Sequence, residues 1–597
     1  MDQISRRIWE AKYRYRQGGL VHDETIADTW RRVAWAIAAV ETDDRARWER
    51  EFFGQLQDFK FLPGGRILAG AGTKRRVTLF NCFVMGPIED SLPGILRALS
   101  EGAVTQQKGG GVGYDFSTLR PRGMRAKGVG AIASGPVSFM LLWDALAETL
   151  VSTGPRRAAM MASLRCDHPD IEAFVGAKRE PGRLRYFNLS VQITDAFMAA
   201  VRADADWPLA FPIDTEDPDA TTCHEHAGPA PSSVARRVRA RQLWDEILCS
   251  AYETAEPGVL FVDRINRMNN LWYREKITTT NPCGEVPLPP YGACDLGSIN
   301  LTRFIEQPFT ERARLNMQSL AQTVETAVRF LDDVIDASYF PLPQHKEIAR
   351  GSRRIGLGVT GLADALVMLG HPYGSEVSID WSAEVMRQVC WGAYRASIAL
   401  AREKGSFPFF ERDRYLEGAF IRDLPQDIRA AIAKHGIRNS HLTAIAPTGS
   451  VSLLAGNISS GIEPIFAASY RRSILDETGC GLEFELTDHA VRLWHELGYG
   501  EPEMPPAFIS VRDLPVRAHV EMQAALQRHV DNAISKTVNV PEECSFEEFR
   551  QIYELAYDKG LKGCTAYRPS PVRGAVLKGG EAAVDAPHCC VLEREPD

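Results

Sequence analysis

Along most of this chain, helix-period apolar patterns alternate with short β-rich runs that end in Gly- or Pro-containing loops, and no other feature restricts the fold as strongly. A chain so patterned builds an α/β fold, with helices packed against a largely parallel sheet. Asp28 to Val40 sets Trp30, Val33, Ala34, Ile37 and Ala38 on one helical face, so residues 1–60 read as a helical cap. The same period returns at Leu320, Val324, Val328, Leu331 and Ile335. Phe187 to Ile193 and Leu442 to Ile445 read as strands. A polar, proline-bearing stretch from Asp214 to Ser233 reads as a surface loop, with charged helices resuming at Ala235. Beyond Arg568 the periodicity fades into a tail ending HCCVLEREPD.

With 45% hydrophobic and 24% charged residues over 597 positions, a large buried core is within reach. The formal charge of −8 and a pI near 6.0 exclude a general nucleic-acid binder, which needs clustered Lys and Arg. No apolar run nears the ~20 residues of a membrane span. The opening MDQISRRIWEAKYRYRQ is too charged for a signal peptide, so a cytoplasmic protein is expected. Thiols there stay reduced unless they do chemistry or bind metal. The twelve cysteines include no CxxC pair, and no metal site is expected.

The run TTTNPCGEVPLPPYGACDLGSINL places Asn281, Cys283 and Glu285 at alternate positions, which in an extended segment would face one side. A thiol beside a carboxylate and an amide can support radical chemistry: the sulfur abstracts a hydrogen, the carboxylate takes a hydroxyl proton, and the amide orients the substrate. A merely buried cysteine competes with that reading on composition alone. Further on, PTGSVSLLAGN offers a Pro447 to Ser450 turn before an apolar helix, a cradle for a diphosphate or an ordinary N-cap. KGGGVGYDFSTLRP lets the backbone approach a ligand, yet it lacks the ending of a phosphate-binding P-loop and is no dinucleotide fingerprint.

NPCGE followed by LPPYGACDLGSINL is similar to the finger loop of class I and class II ribonucleotide reductases, and the chain resembles that family over nearly its whole length. The resemblance implies a ten-stranded α/β barrel of two five-stranded half-sheets over residues 61–570, with the finger loop threaded through its centre. The cap at 1–60 would precede it and a flexible tail at 571–597 would follow. Cys283 would carry the thiyl radical, Glu285 would be the base and Asn281 the substrate-orienting amide. Cys294 and Cys82, the latter in LFNCFVMGPIEDS on the first barrel strand, would be the reducing pair, since reducing a ribose takes two thiols that can close to a disulfide. Substrate would meet Asn81, Gly110 and Gly111, and its phosphates Pro447, Thr448, Gly449, Ser450 and Val451. A deoxynucleoside triphosphate effector at the interface of a homodimer would meet Asp90, Arg120 and Lys127. Thr153, Gly154, Arg156 and Arg157 in TGPRRAAMM would relay its identity to the active site.

Class I subunits receive their radical through an adjacent Tyr-Tyr pair, which this chain lacks; the corresponding KGCTAYRPSP resembles class II instead. Class III enzymes lack counterparts of Glu285 and Cys294, both present here. The implied cofactor is therefore adenosylcobalamin, although no DxHxxG cobalamin motif occurs, and His168 in RCDHPDI reads as a turn or core histidine. The implied reaction is reduction of ribonucleoside diphosphates for DNA synthesis and repair, reset by thioredoxin or a glutaredoxin-like dithiol. No ATP-cone is recognisable ahead of the cap, so overall activity control by ATP and dATP is not expected. Adjacent Cys589 and Cys590 would shuttle electrons to the active-site pair, against the strain of a vicinal disulfide. The rivals are a class I-like subunit needing a metalloprotein partner and a nucleotide-binding regulator without activity.

Overall fold

The computed structural model describes residues 1–124, 132–150, 159–180, 182–212, 232–475, 481–499 and 504–569, with backbone strands at 577–579 and 585–586. Three helices lead: α1 (Gln3–Ile8), α2 (Ile26–Ala38) and α3 (Arg45–Gln57). α2 buries Trp30, Val33, Ala34, Ile37 and Ala38, the stripe its spacing predicts. This cap is tied to the body through Glu41, which accepts from Arg329 at 2.8 Å and Lys404 at 2.9 Å; Lys404 also donates to Asp333 at 2.6 Å. Such a network is costly to break, because removing one partner leaves a buried charge uncompensated.

A ten-stranded mixed sheet forms the body. Its strands are β1 (Phe61–Pro63), β2 (Cys82–Val84), β3 (Gly111–Asp115), β4 (Met160–Arg165), β5 (Phe187–Ile193), β6 (Gly258–Phe261), β7 (Ala293–Asn300), β8 (Ile355–Thr360), β9 (Thr537–Asn539) and β10 (Gly563–Tyr567). The order is β8-β7-β2-β3-β4-β5-β6-β10-β9, with β1 also pairing β7. β2 to β6 run parallel, and direction reverses at β2/β7 and at β6/β10. β7 and β8 are buried at every residue, which requires cover on both faces and explains their near-continuous apolar or small character. Helices α4 (Leu92–Gln107) and α5 (Pro136–Thr149) fall between parallel strands, as crossovers do. The helix α6 (Met317–Ala337) buries Leu320, Val324, Val328, Leu331 and Ile335 as expected.

Two local expectations change. Residues from Ala235 do not begin a helix: Ser232–Arg239 is a strand paired antiparallel with Asp206–Pro212, and the helix starts at Ala240. The ladder partner lies upstream, so the charged, arginine-rich local sequence carries little sign of it. Leu442 to Ile445 is extended but makes single bridges, Thr443 to Leu357 of β8 and Ile445 to Ile534 ahead of β9, and is not a full strand.

Candidate active site

Thr279–Thr280 pairs antiparallel with Pro287–Leu288, and the residues between them turn back tightly. The Asn281 carbonyl accepts from Gly284 N–H at 3.1 Å, and Asn281 N–H donates to Val286 O at 3.3 Å. Pro282 presets φ, and Gly284 takes φ +84°, so Asn281 to Glu285 is a reverse turn and not the extended segment expected. The consequence is that the three side chains do not share one side. Cys283 lines the larger of two cavities, and Glu285 lines a separate, smaller one. The hairpin crosses β3 so closely that a Cβ on Gly113 would fall 1.9 Å from the Thr280 carbonyl oxygen.

The smaller cavity gathers Asn81, Cys82, Glu285, Pro447, Thr448, Ser450 and Val451, drawn from segments hundreds of residues apart. Gly64, Gly65, Gly297 and Ser298 complete its wall and were not anticipated; their signal is the paired small residues in LPGGRIL and DLGSIN. Cys82 on β2 and Cys294 on β7 are direct partners across the antiparallel ladder, both buried. Opposed residues in such a ladder have Cα atoms about 4.5–5.5 Å apart, inside the range a disulfide spans. Cys82 Sγ donates to Glu285 Oε1 at 3.7 Å and accepts from the Asn281 amide at 3.2 Å. The same Asn281 side chain accepts from Val286 N–H at 2.9 Å, so its amide also braces the turn. Burial pushes the Glu285 carboxyl up to about 7, offset in part by Asn281 and Cys82, and its Oε2 has no partner among the described residues. Burial and the neighbouring Asp295 push the Cys294 thiol up strongly, so it stays protonated.

The helix α7 (Gly449–Leu454) starts at this cavity. Thr448 sits at φ +56°, strained for a β-branched residue, and does not cap α7. Its hydroxyl instead accepts from Gly461 N–H at 2.9 Å and bonds the Thr360 hydroxyl at 2.9 Å, which pins the loop. Lys12 of the cap donates to Ser450 Oγ, an approach across 438 residues that no local pattern reveals. Gly110 and Gly111 do not line the cavity. Gly111 N–H donates to Asn81 O at 2.8 Å, and a Cβ there would meet Pro282 at 3.1 Å, so these glycines let β2, β3 and the turn close up behind it.

Around Cys283 the larger cavity is polar. Asn188 donates to Pro282 O at 2.8 Å and holds the turn. Lys536 donates to Glu463 at 2.6 Å and to His519 at 2.9 Å. Lys562 donates to the carbonyls of Asp531, at 2.5 Å, and Asn532, and burial pushes its ammonium down to about 7. The side-chain oxygens of Gln523 and Gln527 are buried without partners among the described residues. Orphaned acceptors and two lysines beside a cysteine suit a polar ligand rather than a packed core. None of these residues was singled out from the sequence.

Asp90 and Arg120, expected at an effector site, meet each other: Arg120 Nε donates to Asp90 Oδ2 at 2.8 Å and its N–H to Oδ1 at 3.2 Å. Lys127, Thr153, Gly154, Arg156, Arg157, Cys589 and Cys590 lie outside the described residues. His168 is a buried turn residue, its ring bonded to Leu119 O and Asp170 N–H. No helix among the described residues is long and apolar enough to cross a membrane.

Residues 80–567 match the family model of the ribonucleotide reductase barrel domain, and residues 1–76 that of its all-alpha domain. A vitamin B12-dependent ribonucleoside-diphosphate reductase of Mycobacterium tuberculosis is 39% identical over 593 residues, covering 94% of this chain and 79% of that protein. One of Thermoplasma acidophilum is 36% identical over 555 residues, covering 89% and 66%. The ribonucleoside-diphosphate reductase large subunit of vaccinia virus is 26% identical over 557 residues, covering 86% and 71%. Matched in both its helical cap and its sheet, this chain belongs to the ribonucleotide reductase family.

Proposed function

We propose that this chain reduces ribonucleoside diphosphates to 2′-deoxyribonucleotides by thiyl-radical chemistry, with adenosylcobalamin as its cofactor. Relatives 39% and 36% identical bear the name of vitamin B12-dependent ribonucleoside-diphosphate reductases, which favours this over a subunit fed by a metalloprotein partner. The observation that carries the reading is the Cys82–Cys294 pair, in register beneath a cavity that also holds Glu285 and Asn81.

The substrate ribose would lie in that cavity, its phosphates toward Pro447 to Val451 and Lys12. Cys283, on the same turn as Glu285 but lining the larger cavity, would lose its thiol hydrogen and then turn to the ribose to take its 3′-hydrogen. Glu285, uncharged below about pH 7 and ionised above, removes the 3′-hydroxyl proton. The 2′-hydroxyl leaves as water. Cys82 and Cys294 supply two electrons and two protons and close to a disulfide, and the 3′-hydrogen returns from Cys283. Adenosylcobalamin, when bound, would supply the radical equivalent that oxidises Cys283. Asn188, Gln523, Gln527, Lys536 and Lys562 would hold it in the larger cavity, whose orphaned acceptors fit a ligand rich in N–H and O–H donors.

The wider reading follows the same lines. The bridges Leu357 to Thr443 and Ile445 to Ile534 support closure of the sheet into a ten-stranded barrel of two halves, over residues 61–570 between the cap at 1–60 and the tail at 571–597. Exposed Leu92, Leu96 and Val104 on α4, with Leu141 and Leu142 on α5, support a homodimer whose interface neighbours Asp90 and Arg120, where a deoxynucleotide effector would bind. A cytoplasmic dithiol protein such as thioredoxin would reopen the disulfide. The test is conversion of CDP and CTP by the purified chain with dithiothreitol, with and without adenosylcobalamin, across dNTP effectors. Cobalamin-dependent dCDP formation is the expected result; product from neither substrate under any condition would overturn the reading.

A further inference from the structure

Three residues ahead of Cys294, Tyr291 lines neither active-site cavity, yet its backbone is strained. It sits at φ +58°, a region that a bulky side chain adopts only where its surroundings force it. Its hydroxyl donates to Glu101 Oε2 on α4 at 3.0 Å. Burial and that carboxylate push the hydroxyl up to about 12, so its proton is present at neutral pH. Its ring fills the space beside Gly86, where a Cβ would fall 2.2 Å from the tyrosine Cζ. His345 stands edge-on to the ring at 5.8 Å and packs in turn on Phe83 of β2 at 4.8 Å. Gly86 lies on the stretch that leads from Cys82 on β2 to Asp90, and α4 starts two residues after Asp90. In the other direction, Gly292 O accepts from Val84 N–H at 3.0 Å, which carries the ladder that sets Cys82 opposite Cys294 right up to Tyr291. At Gly102, the next residue after Glu101, a Cβ would fall 1.6 Å from the Tyr114 hydroxyl oxygen, so α4 is clasped equally closely to β3. Tyr291 is therefore gripped between the segments that bear Asp90 and the strand that bears Cys294.

We propose that Tyr291 is a positioning residue that couples α4 and the Asp90 segment to the approach of Cys294 to Cys82, so that a deoxynucleotide bound at Asp90 and Arg120 speeds closure of the redox pair. A helix carries a shift at its Asp90 end as a rod to Glu101, about 14 Å along its axis. The hydrogen bond hands that shift to a strained backbone at the mouth of the β2/β7 ladder, and a packed contact of this kind switches between arrangements instead of deforming smoothly. The step it governs is the one already described: two thiols give two electrons and two protons to the ribose and join as a disulfide. The inference rests on the effector reading at Asp90 and Arg120, and the experiment keeps the two apart.

Single-turnover formation of dCDP and of the Cys82–Cys294 disulfide from CDP is followed on the full chain with adenosylcobalamin and no added reductant, with and without each of the four dNTPs. Binding of each dNTP is measured separately by equilibrium dialysis. In the wild type the most effective dNTP should speed both products. In Tyr291→Phe that stimulation should shrink toward unity, by about fivefold or more, the scale of a coupling between sites. Affinity for the dNTP, KM for CDP and the melting temperature should hold, because Tyr291 and Glu101 are only half-buried. Glu101→Gln, which still accepts the hydrogen bond, should keep most of the stimulation, whereas Glu101→Ala should lose it as Tyr291→Phe does. Full stimulation in Tyr291→Phe, an equal slowing of that variant with and without dNTP, loss of its dNTP binding, or a wild type that binds dNTP without responding would each overturn the inference. A wild type that binds no dNTP would instead overturn the effector reading itself, and the inference with it.

Discussion

Glu285 is where burial and chemistry meet most directly. Its carboxyl is pushed from 4.5 to about 7 by loss of solvent, so kcat/KM should rise with pH through that range as the base ionises. Glu285→Gln should lower turnover about a thousandfold, the scale of a lost general base. Stability moves the other way. The fold retains this proton up to about pH 7 whereas the unfolded chain releases it near 4.5, so the contribution is full below pH 4.5 and lost as pH rises through 7. Denaturant unfolding should therefore show Glu285→Gln gaining on the wild type above pH 7, by on the order of 3 kcal/mol relative to acid. Cys82 and Cys294 make a separate prediction. One turnover of CDP without added reductant should leave a Cys82–Cys294 disulfide, seen as a linked peptide by mass spectrometry. Cys294→Ser should give neither the linked peptide nor dCDP.

At the scale of elements, the turn that carries Cys283 depends on how closely its hairpin lies over β3. A methyl group at Gly113 would overlap the Thr280 carbonyl, and backbone cannot step aside as a flexible side chain can. Gly113→Ala should displace the hairpin and cost about 100-fold in kcat, the usual penalty for a misplaced reacting group. The accompanying drop in thermal stability should be about 1–3 kcal/mol, measured by denaturation. The finger-loop residues were legible because they are contiguous. Their mutual orientation was not, since the Gly284 turn reverses the chain and separates Cys283 from Glu285. The Pro447–Ser450 loop shows the same division: PTGS was visible, but the use of Thr448 as an anchor to Thr360 and Gly461 instead of a helix cap emerges from partners far along the chain.

For the whole molecule, the apolar stripe on α4 and α5 carries the prediction. Leu96→Glu combined with Leu141→Glu should shift light-scattering mass from dimer to monomer and abolish the response to dNTP effectors, while leaving the melting temperature nearly unchanged, because both side chains are exposed in the monomer. An unaltered dimer would place the interface elsewhere. The cap is a different case. Glu41, Arg329, Lys404 and Asp333 lock it to the body, and Lys12 reaches from it to Ser450 at the Glu285 cavity.

By itself, the sequence determined the α/β class, the helical cap, the cysteine–glutamate–asparagine loop and the family, because each is written in local period or in a contiguous string. Tertiary structure alone decided which distant groups share a wall. It set Cys82 opposite Cys294, brought Lys12 to Ser450, and surrounded Cys283 with Gln523, Lys536 and Lys562. The reason is physical: strand register, cavity walls and pKa shifts arise from burial and from contacts between segments hundreds of residues apart, and no periodicity along the chain encodes them.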